Sequence, residues 1–156
     1  MEQILTAKAA VHGKLRIAIG IVLFAILGLA AIWAFLPSPP PVDLDLSRSK
    51  ASAKGLYQVA VEPEAGTFKM GELHNWLITV KSKDGAPVED ARIAVDGGMP
   101  QHHHGLPTAP AVTAGLGGGK YRVEGVKFHM SGWWELKFAI ASPAGEDQAV
   151  FNIVIE

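Results

Sequence analysis

Cysteine is absent from this chain of 156 residues. Its absence excludes disulfide bonds, thiolate zinc sites, iron–sulfur clusters, a cysteine nucleophile and a cysteine-ligated blue-copper centre. Charge is also scarce, because charged residues make up 19% of the chain, against about a quarter of a typical soluble domain. The 14 Lys and Arg residues are balanced by 15 Asp and Glu residues, so there is no basic excess to neutralise a phosphate backbone. The composition therefore argues against nucleic-acid binding.

Residues 17–36 contain no charged side chain and read IAIGIVLFAILGLAAIWAFL. A helix of about 20 residues spans roughly 30 Å, the thickness of a bilayer core. We therefore predict a single transmembrane anchor at 17–36 that contacts the lipid bilayer. Lys8, Lys14 and Arg16 precede it, so the positive-inside rule predicts a cytoplasmic segment at 1–16 and an extracytoplasmic remainder, periplasmic in a Gram-negative cell.

A cleaved signal peptide is the alternative interpretation of this apolar run. The apolar region of a signal peptide covers about 7–15 residues and is followed by small residues at the cleavage site. The run in this chain is longer, and the large residues Trp33, Phe35 and Leu36 occupy its end. An uncleaved anchor is therefore favoured. Residues 37–54 begin with a proline run and then become polar and small, which predicts an extended linker.

Residues 55–156 are predicted to form a seven-stranded, immunoglobulin-like β-sandwich, so the chain is all-β after its anchor. Short runs of alternating apolar and polar residues recur, with turn signals roughly every 8–12 residues. The predicted strands are 56–62, 73–81, 92–96, 111–114, 120–128, 133–141 and 148–155. The alternation assigns seven large side chains to the core: Trp76, Tyr121, Trp134, Leu136, Phe138, Ile140 and Phe151.

The His and Met residues beyond the anchor form three groups in loops between the predicted strands. The groups are Met70 with His74, Met99 with His102–His104, and His129 with Met130. Alternate loops of an antiparallel sandwich lie at the same end, so we expect the three groups to meet. Since the first predicted strand follows the linker directly, this end is expected to point away from the membrane.

Imidazole and thioether side chains together favour copper, particularly Cu(I), because thioether is a soft ligand. A His-x-His pair in extended backbone places His102 and His104 on one side and His103 on the other. From the residues alone, three interpretations remain open: a specific metal site, a protein-contact loop without metal, and simple packing. No nucleophile elbow, phosphate-binding loop or dinucleotide motif is present, so we expect a protein that is not an enzyme.

Two motifs resemble those of a known family. Met99-Pro100-Gln101-His102-His103-His104-Gly105 resembles a Met-Pro-x-His-x-His-Gly motif, and the segment Phe128–Trp134 resembles Phe-x-Met-x-Gly-x-Trp. Both are typical of the YtkA-like/FixH-like family of membrane-anchored domains, which often have Gly where this chain has His103. The resemblance covers roughly residues 70–142 and implies an immunoglobulin-like sandwich linked to copper handling and respiratory oxidase assembly. The copper candidates that it implies are Met99, His102, His104, His129 and Met130.

Two functional hypotheses follow. The first is a membrane-anchored, extracytoplasmic copper-binding module that acts in copper handling or in assembly of a membrane respiratory complex. Its ligands would be His102, His104, His129 and Met130, supported by Met99 or Met70. The second is a non-enzymatic accessory subunit of a membrane protein complex, such as a respiratory oxidase, which docks by its helix and loops without metal.

Overall fold

The computed structural model describes residues 43–156 and four isolated positions before them, 24, 25, 28 and 41. Phe24, Ala25 and Gly28 are helical. The predicted cytoplasmic segment at 1–16, the rest of the predicted anchor and most of residues 37–42 lie outside the described residues. Within the described part of the chain, no helix is long and apolar enough to cross a membrane. The chain divides into two compact units, residues 1–38 and 39–156, and the second unit contains all the strands described below.

Within residues 43–156, nine strands form two antiparallel sheets. They are β1 (Ser49–Ala51), β2 (Tyr57–Pro63), β3 (Leu73–Ser82), β4 (Arg92–Met99), β5 (His104–Gly105), β6 (Ala111–Gly117), β7 (Lys120–Lys127), β8 (Gly132–Ser142) and β9 (Gly145–Ile155). One sheet has the order β1-β2-β3-β7-β6, and the other has the order β5-β4-β8-β9. The predicted all-β class and two-sheet sandwich are confirmed for the described residues.

The core lies between the two sheets and follows the alternation read from the sequence. In β8, Trp134, Leu136, Phe138 and Ile140 are all at most 1% exposed, whereas the intervening side chains face outward. Every one of the seven predicted core residues is buried. Period-two alternation is informative here because each sheet buries one face and leaves the other in water.

The structure has two strands more than the sequence predicts. β1 lies within the predicted linker 37–54, so the sandwich begins before the predicted boundary at residue 55. It was missed because its three residues, Ser-Lys-Ala, carry no apolar alternation. β5 has only two residues, which is too short for any periodic signal.

The additional strand β1 changes the end at which the chain enters the sandwich. β1 pairs antiparallel with β2, with Ser49 opposite Ala60 and Ala51 opposite Gln58. The pairing extends upstream, since the Val61 amide donates to the Arg48 carbonyl at 2.8 Å. The chain therefore enters at the end where β2 finishes and the β2–β3 loop begins. The sequence predicted that the first strand is 56–62. Because β1 precedes it and runs antiparallel to it, the chain enters the sandwich at the opposite end from the one predicted.

The opposite end is closed by a buried carboxylate. Asp147 is 6% exposed. Its oxygens accept hydrogen bonds from the Ser52 hydroxyl at 2.5 Å and from the amides of Lys54, Leu56 and Gln148 at 2.8–3.2 Å. Burial raises the pKa of this carboxyl, but the hydrogen bonds outweigh burial and lower the pKa to about 2. Asp147 thus joins the start of β9 to the segment that connects β1 and β2.

Candidate metal centre

Three loops meet at the end of the sandwich where the chain enters. We call it the His/Met end, and it consists of the β2–β3 loop, the β4–β5 hairpin with the segment up to β6, and the β7–β8 loop. The Gly71 amide of the first loop donates to the Phe128 carbonyl of the third at 2.7 Å. The rings of His104 and His129 join the second and third loops, with centroids 6.3 Å apart. The three loops that carry the His/Met groups therefore lie at one end of the sandwich, and ring contact joins the second group to the third.

The β4–β5 hairpin positions His102 and His104 side by side. The His102 amide donates to the Met99 carbonyl at 3.1 Å, and Met99 and His104 face each other across the hairpin. A Cβ at Gly98 would collide with the carbonyl oxygen of His104, so glycine is required for β5 to lie this close. The rings of His102 and His104 are stacked, with centroids 6.1 Å apart and planes 14° from parallel.

His129 extends this pair into a row of three rings. Its ring lies 6.3 Å from that of His104, and it meets Trp134 edge to face at 5.2 Å. Trp134 is buried in the core, and its indole N–H donates to the Met130 carbonyl at 3.0 Å. The β7–β8 loop is thereby fixed on the core, and His129 is held beside the hairpin. We call His102, His104 and His129 the imidazole row.

The thioethers have three different environments. Met99 is 1% exposed and stands opposite His104. Met130 follows His129 directly and is partly buried against the core. Met70 is 51% exposed and lines a separate groove with Phe68 and the end of β9. Only Met99 and Met130 are therefore adjacent, in sheet register or in sequence, to members of the imidazole row.

Two further histidines lie outside the imidazole row. His74 is buried, and its Nε2 lies 2.8 Å from the carbonyl oxygen and 3.1 Å from the amide nitrogen of Lys69, so its ring faces its own loop. His103 has φ of 54°, and it is the one non-glycine residue with positive φ in the described part of the chain. It lines a shallow cleft with His104, Glu135 and Lys137, and the charged groups of the last two lie 3.1 Å apart. Residues 102 and 103 form a turn rather than the extended backbone on which the predicted separation of His103 from His102 and His104 was based.

The exposed imidazole row offers nitrogen ligands that do not yet converge. Across residues 43–156, no group of three or more His, Asp and Glu side chains is arranged to hold a metal ion. Metal-to-nitrogen bonds of about 2.0–2.1 Å allow two rings that bind one metal from opposite sides to have centroids up to roughly 6.4 Å apart, whereas three rings around one metal must lie closer together. The two separations in the row, 6.1 and 6.3 Å, are within this limit. All three rings are exposed, and binding of one metal by all three would require them to move closer together.

A family model described as YtkA-like matches residues 50–139. The chain belongs to the YtkA-like family. The match includes β1 through most of β8, and with them the hairpin, the imidazole row, Met99 and Met130. YtkA-like membership thus confirms the resemblance read from the two sequence motifs.

A solved structure, the ZirS C-terminal domain, is similar to this YtkA-like chain with a TM-score of 0.40 and 15% sequence identity. The similarity covers 74% of this chain and 81% of that one. No curated protein matches the chain.

Proposed function

We propose that this YtkA-like chain is a membrane-anchored, extracytoplasmic copper-binding module, held in the bilayer by residues 17–36. In this proposal His102, His104 and His129 provide imidazole ligands, and Met130 or Met99 provides a thioether. The module buffers copper or delivers it during assembly of a membrane respiratory complex. The observation that carries the proposal is the imidazole row, in which rings from two separate loops lie 6.1 and 6.3 Å apart.

The chemistry of the available ligands favours copper over zinc or magnesium. Magnesium prefers carboxylate oxygens, and thioether sulfur adds little to zinc binding. A mixture of imidazole nitrogen and thioether sulfur suits Cu(I), which is a soft ion. Met99 is the cross-strand partner of His104, and opposed side chains have Cβ atoms about 4.5–5.5 Å apart. A thioether is thus within reach of the hairpin rings without rearrangement of the backbone.

Met70 does not belong to the proposed ligand set. Its groove is formed with Phe68, Lys69 and Val154–Glu156, and none of these residues belongs to the imidazole row. The ligand set that the geometry supports is therefore His102, His104 and His129 with one thioether.

The decisive comparison is His129→Ala against His103→Ala in the full chain. Since His129 joins the row from a different loop, its loss should weaken Cu(I) affinity by about tenfold or more, which corresponds to at least about 1.4 kcal/mol. His103→Ala is the matched control, because His103 is next to the row in sequence but takes part in neither of its two ring contacts, and it should leave the affinity unchanged. Competition against a Cu(I) chelator measures both.

The opposite ranking would indicate an incidental site made by the His102–His104 run alone. If His129→Ala changed neither Cu(I) affinity nor copper-dependent thermal stabilisation, the copper proposal would be abandoned. The accessory-subunit hypothesis would then be favoured, with the same loops acting as a protein contact. The exposed apolar side chains of Met70, Leu73 and Val154 at this end support that second hypothesis.

Copper binding should also depend on pH. Imidazole must be neutral to bind a metal, so protons compete with Cu(I) for the same ring nitrogens. We therefore expect Cu(I) affinity to fall as the pH is lowered from about 7.5 to 5.5. Chelator competition at a series of pH values checks this, and an affinity independent of pH in this range would argue for thioether ligands alone.

A further inference from the structure

Exposed apolar side chains are concentrated at the His/Met end. Five large apolar side chains of residues 43–156 are exposed, and four of them form what we call the apolar rim: Leu46, Met70, Leu73 and Val154, which are 51%, 51%, 67% and 42% exposed. The fifth, Leu116, lies at the opposite end, next to the β6–β7 turn. Exposed apolar patches mark contacts with proteins or membranes.

All four members of the rim lie at the end of the sandwich where the chain enters. Met70 and Val154 line one groove. The Asn152 side chain donates to the Asp45 carbonyl at 2.9 Å, which places Leu46 beside the last residues of β9. Leu73 begins β3, three residues after Met70. The rim therefore follows the edge of the sandwich at which the chain enters.

The length of the chain before the sandwich limits how far this end can be from the membrane. Eight residues, 37–44, separate the predicted span from Asp45. Fully extended at up to about 3.6 Å each, they reach at most roughly 29 Å. The opposite end lies beyond the eleven residues of β9, which extend about 36 Å at the usual rise of a strand. A tether of this length allows the His/Met end to reach the bilayer surface.

We infer that the apolar rim docks on the surface of the bilayer, with the His/Met end of the sandwich facing the lipid headgroups. The inference rests on the membrane anchor of the proposed function. Lys69 and Glu156 line the same groove as Met70 and Val154, so the charge of the rim is mixed and its apolar contacts carry the docking. Zwitterionic lipid is therefore sufficient.

The absence of cysteine allows a direct test with single labels. Ser131→Cys places a label in the exposed β7–β8 loop at the His/Met end, and Ala144→Cys places one in the β8–β9 turn at the opposite end. Each full-length, metal-free chain carries a fluorophore in phosphatidylcholine nanodiscs that contain a nitroxide-headgroup lipid. We expect a larger fractional loss of fluorescence at position 131 than at 144. Equal loss, greater loss at 144, or no loss at either position would overturn the inference.

A second pair of variants tests the rim itself. In the chain labelled at position 131, Met70→Ser combined with Val154→Ser should reduce quenching to the level found at 144. Leu116→Ser is the matched control, because it removes an equally exposed apolar side chain from the opposite end and should leave quenching unchanged. Unchanged quenching in the double variant would overturn the assignment of the rim.

Copper titration of the same chains separates this inference from the copper proposal. If the chain docks on the bilayer but does not bind Cu(I), the docking inference stands and the copper proposal fails. If the chain binds Cu(I) but shows equal quenching at positions 131 and 144, the copper proposal stands and the docking inference fails.

Discussion

The two ends of the sandwich use their polar side chains differently. At the end opposite the entering chain, Asp147 is buried, and its oxygens are occupied by donors from Ser52, Lys54, Leu56 and Gln148. At the His/Met end, His102, His104 and His129 are exposed and contact one another only as neighbouring rings. The buried carboxylate at one end stabilises the fold. The imidazoles at the other end are exposed to solvent and are supported by the core beneath them.

The largest expected effect is on the core beneath the His/Met end. Trp134→Ala should lower the free energy of unfolding by about 3–5 kcal/mol, because it leaves a cavity among packed aromatic rings. It also removes the ring that His129 contacts and the donor to the Met130 carbonyl. Chemical denaturation measures the loss. Trp133→Ala is the control, since Trp133 is only partly buried and should cost less. A Trp134→Ala variant that melts within a degree or two of the wild type would contradict this account of the core.

A smaller but clear effect is expected at the opposite end. Asp147→Asn should destabilise the fold by about 1.5–3 kcal/mol, because hydrogen bonds to a charged acceptor are lost and amide hydrogens face the donors. Copper affinity should be unchanged, since Asp147 lies at the other end of β9. Parallel measurements of unfolding and of Cu(I) affinity check both statements. A loss of affinity equal to that of His129→Ala would show that the two ends are not independent.

The same carboxylate predicts the acid limit of stability. Its folded pKa of about 2 lies below the ordinary 3.8, so its contribution is fully present above a pH of about 4 and disappears as the pH falls through about 2. The wild type should therefore lose stability over this window, and Asp147→Asn should lose less of it. Denaturation curves of both proteins at pH values of about 5, 4, 3 and 2 measure the difference in stability lost. Identical slopes in both proteins would assign the acid sensitivity to other groups.

The smallest effect concerns His103, whose φ of 54° is sterically unfavourable for a side chain with a Cβ. His103→Gly should raise the free energy of unfolding by about 0.5–1 kcal/mol and leave Cu(I) affinity unchanged. His102→Gly is the matched control one residue away, where φ is not positive, and it should destabilise the hairpin and weaken Cu(I) binding. Destabilisation by both substitutions would mean that the His103 side chain itself stabilises the hairpin.

The sequence predicted the sandwich well because alternation reports burial directly. Trp76 and Trp134 were assigned to the core from their strand positions, and both are fully buried. The site was predictable only in part. His102 and His104 do lie side by side, but through a turn at 102–103 rather than through the extended backbone that the sequence suggested. The separation of Met70 from the row depends on how β9 packs beside the β2–β3 loop. Likewise, β1 has no local signal, because its pairing is determined by the partner β2 rather than by its own three residues.

The segment that precedes β2 also protects the molecule from self-association. The outer edge of β9 presents carbonyl groups that a strand of another molecule could pair with. Within residues 45–54, the Ala53 amide bonds to the Gln148 carbonyl at 2.8 Å, and the Arg48 side chain bonds to the Asn152 carbonyl at 3.0 Å. A soluble form that begins at residue 55 would lack these bonds and expose an eleven-residue edge to aggregation. A soluble form for metal titration should therefore begin at or before Asp43, so that β9 retains its cover.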